Sequence, residues 1–183
     1  MDHYIDIQIK PDAEMRENVL LNNVYTKLHK ALFSLASINI GVSFPLHNVL
    51  LGKTLRIHSS KARIEELQNL AWLGGLAGYC SLSSIKPIPD TVGYRVMSRK
   101  QTTMSEAKLN RLLKRGSITE DKTKQYRAKM FTKGLNNPYV ELTSATNGHK
   151  HRRYIKFGEL VGKPVVGEFD QFGLSKTATV PWF

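Results

Sequence analysis

The spacing of apolar residues divides the first 90 positions into alternating strands and helices. Isoleucine occupies every second position from 5 to 9, which indicates a strand, whereas leucine and valine recur at helical spacing between residues 15 and 36. The predicted order is strand 4–9, helix 15–36, strand 38–44, strand 54–58, a helix capped by Ser59 or Ser60 that ends near residue 70, and strand 79–88. This β-α-β-β-α-β order is that of a ferredoxin-like unit.

Basic residues become dense after residue 90, so we predict two domains, 1–90 and 91–183. The predicted fold class is α+β: an N-terminal ferredoxin-like (RRM-like) domain and a C-terminal α+β domain with an exposed basic helix and a β-hairpin. The N-terminal domain lacks the aromatic ribonucleoprotein signature that an RRM carries on its sheet. Stacking of RNA bases across this sheet is therefore not expected.

A basic amphipathic helix is predicted between Ser105, a favourable N-cap, and Gly116, a favourable stop. One side of this helix carries cations and the other leucines: Lys108, Arg111, Lys114 and Arg115 against Leu109, Leu112 and Leu113. Such a helix is either a solvated surface element or a surface that binds a polyanion. A second helix is predicted to follow, because Ser117 and Glu120 have the spacing of a capping box.

Asn147-Gly148 between two β-prone runs predicts a hairpin with a two-residue type I′ turn. Pairing outward from that turn predicts the pairs Thr146–His149, Ser144–His151, Leu142–Arg153 and Val140–Ile155. All four pairs fall on one face of the hairpin, and the end of this face far from the turn, at Val140 and Ile155, is expected to be buried. Toward the turn, this face presents a hydroxyl, two imidazoles and nearby cations, a combination that suits a phosphodiester.

The charge of the chain indicates a nucleic acid partner. Its 183 residues carry 27 lysines and arginines against 15 acidic residues, a net charge of +12 with a pI near 9.9. The single cysteine, Cys80, can form no internal disulfide and is expected to be a small buried residue. Neither a long apolar run nor a signal peptide is present in the sequence, so we predict a cytoplasmic protein that needs no membrane.

The candidate chemistry is that of a histidine acting on RNA. The acidic residues are scattered and no Walker loop occurs, so neither a metal site nor a cofactor is predicted. A metal-free nuclease needs a nucleophile from its substrate, and RNA supplies the 2′-hydroxyl. A histidine, whose ordinary pKa is about 6.5, can accept its proton. His29 lies at the edge of the first helix's apolar stripe, one turn after Tyr25, where a structural role is the alternative.

Seven motifs spread along the chain carry a resemblance to one known family. They are MDHYIDI at the start, KLH ending at His29, GVSFP at 41–45, LRIH at 55–58, YRVMSRKQ at 94–101, the hairpin from Ser144 through Asn-Gly, and GLSK with VPWF at the end. With these motifs the chain resembles the CRISPR repeat-processing endoribonuclease of the subtype I-F system. The resemblance covers both ends and most of the middle of the chain.

The resemblance implies a protein that cuts precursor CRISPR RNA (pre-crRNA) just 3′ of a repeat stem-loop, without metal, and leaves a 2′,3′-cyclic phosphate. Such a protein stays bound to the mature crRNA and joins other subunits in a surveillance complex. His29 matches the catalytic histidine and Ser144 the serine that holds the 2′-hydroxyl, while Arg99 and Gln101 match the pair that reads a G and an A. The helix with Lys108, Arg111 and Arg115, and with Lys114 at its edge, matches an arginine-rich helix in the RNA major groove.

The chain departs from the family pattern at three places. His151 stands where the family stacks an aromatic ring under the terminal base pair, and Phe172 stands where it has an active-site tyrosine. With Thr146, these two residues are expected to stack on RNA or to line the site. The basic helix has Leu112 and Gly116 in place of cations, which predicts weaker binding and a different repeat sequence.

Two other functions compete with the nuclease. A non-catalytic RNA-binding subunit that caps the 3′ stem-loop of a guide complex would be consistent with the missing hydroxyl at Phe172, although His29 and Ser144 argue against it. A general binder of double-stranded RNA or DNA, driven by charge alone, would show no preference for a stem-loop.

Overall fold

The computed structural model describes residues 1–101, 104–132, 135–143 and 148–183. This part of the chain forms helices and antiparallel strands, which confirms the α+β class. Its elements are β1 (His3–Ile9), α1 (Glu17–Ser34), β2 (Gly41–Ser43), β3 (Thr54–Ser59), α2 (Lys61–Asn69), a 3₁₀ helix (Gly74–Tyr79), β4 (Cys80–Leu82), β5 (Lys86–Pro87), β6 (Gly93–Lys100), α3 (Glu106–Lys114), α4 (Glu120–Thr132), β7 (Tyr139–Thr143), β8 (Lys150–Val161) and β9 (Thr179–Trp182).

The N-terminal sheet has the strand order β2-β3-β1-β4, and β5 also pairs with β1. Every pairing is antiparallel, and α1 and α2 both contact β1. The alternating Ile5, Ile7 and Ile9 are buried, as their spacing predicted, and so is Cys80. The predicted fourth strand is divided, because a 3₁₀ helix occupies its start and β4 and β5 are short.

The C-terminal sheet has the order β7-β8-β6-β9, and its hairpin differs from the prediction in register. Thr143 pairs with Lys150 and Leu142 with His151, so each residue lies two positions from its predicted partner. The predicted pairs Leu142–Arg153 and Val140–Ile155 are therefore wrong, whereas the predicted turn lies outside the described residues, because residues 144–147 are not among them. Because neighbouring side chains alternate between the two faces of a strand, a shift of the register by two residues keeps every side chain on its predicted face.

The basic helix α3 begins and ends where its caps predicted. The Ser105 hydroxyl accepts the N–H of Lys108 at 3.2 Å, and Gly116 has the left-handed φ of +65° that a C′ glycine permits. Leu109 is fully buried, whereas Leu113 is 40% exposed. The buried side of α3 therefore does not include all three of the predicted leucines.

The second helix, α4, begins at Glu120, later than a capping box at Ser117 would place it. Ser117 instead donates its N–H to the carbonyl of Leu112 at 2.9 Å and thereby completes the end of α3. The capping-box prediction is therefore wrong, because Ser117 caps the end of the preceding helix instead of the start of α4.

The C-terminal segment joins the two halves of the chain. Phe169 donates its N–H to the carbonyl of Ile38 at 2.9 Å, and Val42 donates to the carbonyl of Gly173 at 3.0 Å. Buried residues of both halves form one hydrophobic cluster. A domain boundary near residue 90 remains a prediction.

Among the described residues, no helix has the length and apolar character that crossing a membrane requires.

Two charged or titratable residues lie buried on strand β3. Arg56 binds the carboxylate of Asp6 through two hydrogen bonds of 2.6 and 2.9 Å, and its guanidinium lies 4.1 Å from the ring centre of Phe183. His58 Nε2 lies 2.8 Å from the Ser43 hydroxyl, and its Nδ1 has no partner among the described residues. Burial, together with the charge of Arg56, lowers the pKa of His58 to about 3.

The folded protein should lose stability in acid through His58. The unfolded chain binds a proton at this imidazole near the ordinary pKa of 6.5, but the folded chain does not until about pH 3. His58 therefore leaves the free energy of unfolding undiminished above pH 6.5. Below that pH, the titration of His58 in the unfolded chain lowers the free energy of unfolding by up to about 1.4 kcal/mol per pH unit. Urea unfolding from pH 7.5 to 4.5 should show a steeper loss in the wild type than in His58→Gln. Parallel curves would contradict this assignment.

Candidate active site

Helix α1 presents two ring side chains, Tyr25 and His29, to the loop that follows Phe169. The Tyr25 hydroxyl donates to the carbonyl of Phe172 at 2.7 Å, and His29 Nδ1 lies 2.9 Å from the carbonyl of Gln171. A carbonyl oxygen can only accept, so Nδ1 must carry the proton of the neutral imidazole. The lone pair of that neutral ring is therefore on Nε2, which is the form that can accept a proton.

The loop that holds His29 is folded around the side chain of Asp170. Its Oδ1 accepts the backbone N–H groups of Phe172 at 2.8 Å and Leu174 at 3.0 Å. Gly173 adopts a left-handed φ of +69°, a conformation that glycine reaches without strain. These bonds fix the two carbonyls that face α1.

The phenyl ring of Phe172 lies between His29 and Arg153. The imidazole is stacked on it at 3.7 Å between ring centres and 9° between planes, and the guanidinium carbon of Arg153 lies 3.4 Å from its centre. Two groups this close to one ring centre would overlap on the same face, so they occupy opposite faces. Burial lowers the pKa of the Arg153 guanidinium, whereas burial raises the pKa of the Tyr25 hydroxyl beneath the stack.

Two cavities adjoin this stack. The larger has a volume of about 670 Å³ and the smaller about 490 Å³. Both are lined by Arg99, Arg153, Phe169 and Asp170; Gln101 lines the larger and Phe172 the smaller. Because the two cavities share these walls, one groove runs from the end of β6 to the ring against which His29 is stacked.

The structure therefore brings together four of the residues that the sequence singled out. Arg99 and Gln101 line the groove, and His29 and Phe172 are stacked at one end of it. His151 is exposed beside Leu142 on the hairpin. Ser144 and Thr146, by contrast, lie outside the described residues.

The cations of α3 form a separate exposed surface. All four predicted residues are exposed: Lys108, Arg111, Lys114 and Arg115. The helix is held on α4, where the Tyr126 hydroxyl lies 3.2 Å from the Ser105 N–H and Arg127 pairs with Glu106 at 2.8 Å. The cationic side of α3 therefore lies at the protein surface, where its positive charge attracts polyanions.

Sequence reasoning missed the loop contacts and the burial of Arg153. His29 and Tyr25 contact the backbone carbonyls of residues 171 and 172. Every residue type has such a carbonyl, so the sequence gives no sign of these contacts. Arg153 did give a signal, because it alternates with Ile155 on the face that the hairpin buries. A cation on an apolar face is unusual and indicates a special environment.

Comparison with protein families gives one match over nearly the whole chain. Residues 4–183 match the family model described as "CRISPR-associated protein (Cas_Csy4)". Two curated relatives are both named "CRISPR-associated endonuclease Cas6/Csy4". The one from Escherichia coli (strain UTI89 / UPEC) is 36% identical, and the one from Pseudomonas aeruginosa (strain UCBPP-PA14) is 34% identical; each alignment covers 100% of both chains.

Comparison with solved structures adds little. One described as "An RAMP protein binding different RNA substrates" overlaps 98% of this chain and 99% of its own, with 12% identity and a TM-score of 0.33. A likeness this weak supports no argument about fold or function.

Replacing Gly173 by alanine should disturb the support of His29. The residue has a positive φ, and a Cβ there would lie 2.6 Å from Cγ1 of Val42. We expect Gly173→Ala to lower the free energy of unfolding by about 1–2 kcal/mol and to weaken the hydrogen bond at His29 Nδ1. Urea unfolding measures the first effect, and the imidazole N–H signal in NMR measures the second.

Gly162→Ala is the matched control, because a Cβ at Gly162 meets nothing within 4 Å. It should change the unfolding free energy by less than about 0.5 kcal/mol. If Gly173→Ala and Gly162→Ala had the same free energy of unfolding and the same imidazole N–H signal, the loop would not depend on Gly173.

Proposed function

The chain belongs to the Cas_Csy4 family of CRISPR-associated proteins, and from this and the site geometry we propose that it is an endoribonuclease that processes precursor CRISPR RNA. It binds the repeat stem-loop in the cytoplasm and cuts at the 3′ base of the stem without metal. It then retains the mature crRNA and joins other subunits in a surveillance complex. The observation that carries this proposal is the contact of His29 Nδ1 with the carbonyl of Gln171, because this contact requires the proton of the neutral ring on Nδ1 and leaves Nε2 to accept another.

The proposed reaction is an internal transesterification. His29 Nε2 accepts the proton of the 2′-hydroxyl, and the 2′-oxygen attacks the adjacent phosphorus. The bond from phosphorus to the 5′-oxygen breaks, and that oxygen takes up a proton, for which His29 is the candidate donor. The products are a 2′,3′-cyclic phosphate and a 5′-hydroxyl.

Ser144 is proposed to orient the 2′-hydroxyl. The strand that leads to it, β7, is anchored on the helix that carries His29, because the side-chain oxygen of Asn22 accepts the Glu141 N–H at 2.9 Å. This anchoring supports the pairing of Ser144 with His29 in one site.

Arg99 and Gln101 are proposed to read a G and an A at the base of the stem. Arginine to guanine O6 and N7, and glutamine to adenine N6 and N7, are the favoured two-bond pairs in a major groove. The major groove of A-form RNA is normally too deep and narrow for side chains, but it opens at the end of a stem. The position of both residues along one groove supports such a site.

The cations of α3 are proposed to bind phosphates in the major groove of the stem. Each contact would release counterions and make the affinity more sensitive to salt. The element order and strand order of residues 1–90 support the ferredoxin-like reading of the N-terminal half, and the second sheet with α3 and α4 supports a separate RNA-recognition half.

A second candidate function is a non-catalytic subunit that caps the 3′ stem-loop of the guide RNA. It is favoured by the absence of a hydroxyl on the ring that is stacked against His29, since Phe172 supplies only carbon there. This candidate predicts tight binding of the stem-loop without cleavage by the wild type.

His29→Ala should abolish cleavage while RNA binding remains nearly intact. The wild type should cut a repeat stem-loop RNA in EDTA at the 3′ base of the stem, whereas the variant should be slower by at least about 100-fold because it lacks the proton acceptor. Gel analysis of the product end detects the cyclic phosphate, and binding to a 2′-deoxy substrate measures affinity. His3→Ala removes an imidazole of β1 that lies beside the carboxylate of Asp2, and this variant should cut like the wild type.

Loss of both binding and cleavage in His29→Ala would remove the assigned catalytic role. Binding without cleavage by the wild type would favour the capping subunit instead.

Arg99→Ala should weaken binding by about 10- to 100-fold and relax the preference for G at one position, since it removes a two-bond contact to that base. Titration of stem-loops with each of the four bases at the stem end measures both effects. Lys100→Ala removes the same charge from the neighbouring exposed residue and should leave base preference unchanged. Unaltered affinity and preference in Arg99→Ala would refute the reading role.

A further inference from the structure

Arg153 is a buried cation. The residue is only 7% exposed, and its Nε has no hydrogen-bond partner among the described residues. It occupies the face of β8 that otherwise carries Ile155 and packs with Val140 and Leu142. A hydrophobic residue would fill this position without any cost of desolvation, so the sequence retains a charge where packing does not require one.

The charges around Arg153 do not neutralise it. The described residues form no ion pair with its guanidinium, although Asp170 lies close enough to favour its charged form. The Oδ1 of Asp170 is already occupied by two backbone N–H groups of its own loop. Arg99 acts on Arg153 as a second positive charge. Among the described residues, Arg153 is therefore a cation with no anion in direct contact with its guanidinium.

The position of Arg153 shows where that anion would bind. Arg153 lines both cavities of the groove, and so does Arg99. Its guanidinium lies against one face of Phe172 while His29 lies against the other. A group at the edge of that single ring is within reach of both side chains, since a hydrogen bond spans about 3 Å on each side.

We propose that Arg153 is a catalytic residue that binds a non-bridging oxygen of the scissile phosphate. This inference rests on the proposed function. When the 2′-oxygen attacks phosphorus, charge accumulates on the non-bridging oxygens until the bond to the 5′-oxygen breaks. A guanidinium fixed by Phe172 and excluded from bulk water stabilises that charge more strongly than an exposed cation would, and it needs no reorganisation during the step.

This role differs from that of the exposed cations. Arg99 is proposed to read a base, and the cations of α3 to bind phosphates of the stem, so both act on affinity. Arg153 acts on the charge that develops during the reaction. Its loss should therefore reduce the rate of cleavage far more than the affinity for uncleaved RNA.

The test is single-turnover cleavage of a repeat stem-loop RNA in EDTA by the wild type, Arg153→Met and Arg152→Met. Methionine keeps an unbranched apolar side chain in the buried position. We expect Arg153→Met to cut about 100- to 1000-fold more slowly, as after loss of one oxyanion donor. Its affinity for the 2′-deoxy RNA should change by less than about tenfold. Arg152→Met removes the same charge from an exposed position beside Glu141 and should cut like the wild type.

Two further measurements separate catalysis from packing. Added guanidinium ions should accelerate Arg153→Ala, which leaves the space that methionine would fill, by at least tenfold and leave the wild type unchanged, whereas sodium at equal ionic strength should accelerate neither. A sulfur in place of one non-bridging oxygen at the scissile phosphate should slow the wild type more than the variant. Both results would support contact between the guanidinium and that oxygen.

Three outcomes would overturn the inference. A rate for Arg153→Met within threefold of the wild type would exclude the role directly. A slow variant that guanidinium does not rescue, and that keeps the wild-type response to sulfur, would assign Arg153 to packing of Phe172. Failure of the wild type itself to cleave would overturn the proposed function, and the role of Arg153 with it.

Discussion

One carboxylate oxygen, Oδ1 of Asp170, fixes the loop on which the site depends. By accepting the N–H groups of Phe172 and Leu174 it closes a tight turn, and the turn directs two consecutive carbonyls toward helix α1. The first of these orients His29 and the second binds Tyr25. The same turn also binds strand β2 through Gly173, so the loop of the candidate site is also part of the junction between the two halves of the chain.

The phenyl ring of Phe172 gives this loop an electrostatic function as well. It separates the imidazole of His29, which accepts a proton in the proposed reaction, from the guanidinium of Arg153. If the two groups were in contact, their like charges would oppose each other when the imidazole becomes protonated. A ring between them lets both reach one phosphate in the proposed site and presents a favourable face to each cation.

Local signals in the sequence predicted most elements, because each depends on neighbouring residues. The alternating isoleucines of β1, the cap at Ser105 and the stop at Gly116 all lie where they were expected. The hairpin register could not be obtained in this way. A shift by two leaves Val140 and Ile155 on the buried face, so the apolar pattern fits both registers equally, and local turn preference favoured the wrong one. Spacing along the predicted helices singled out His29 and the cations of α3, whereas the roles of Arg99 and Gln101 came from the family resemblance alone. The burial of Arg153 depends on contacts between distant segments.

The support of His29 has a consequence for how sequences of this kind can diverge. The imidazole is oriented by the main chain at position 171, so the side chain there is free to change without altering that bond. Comparison of related sequences would consequently show no paired substitutions between these two positions, although they are in direct contact. Insertion or deletion of a single residue in the loop would move the carbonyl away, so the segment should vary in composition while its length stays constant.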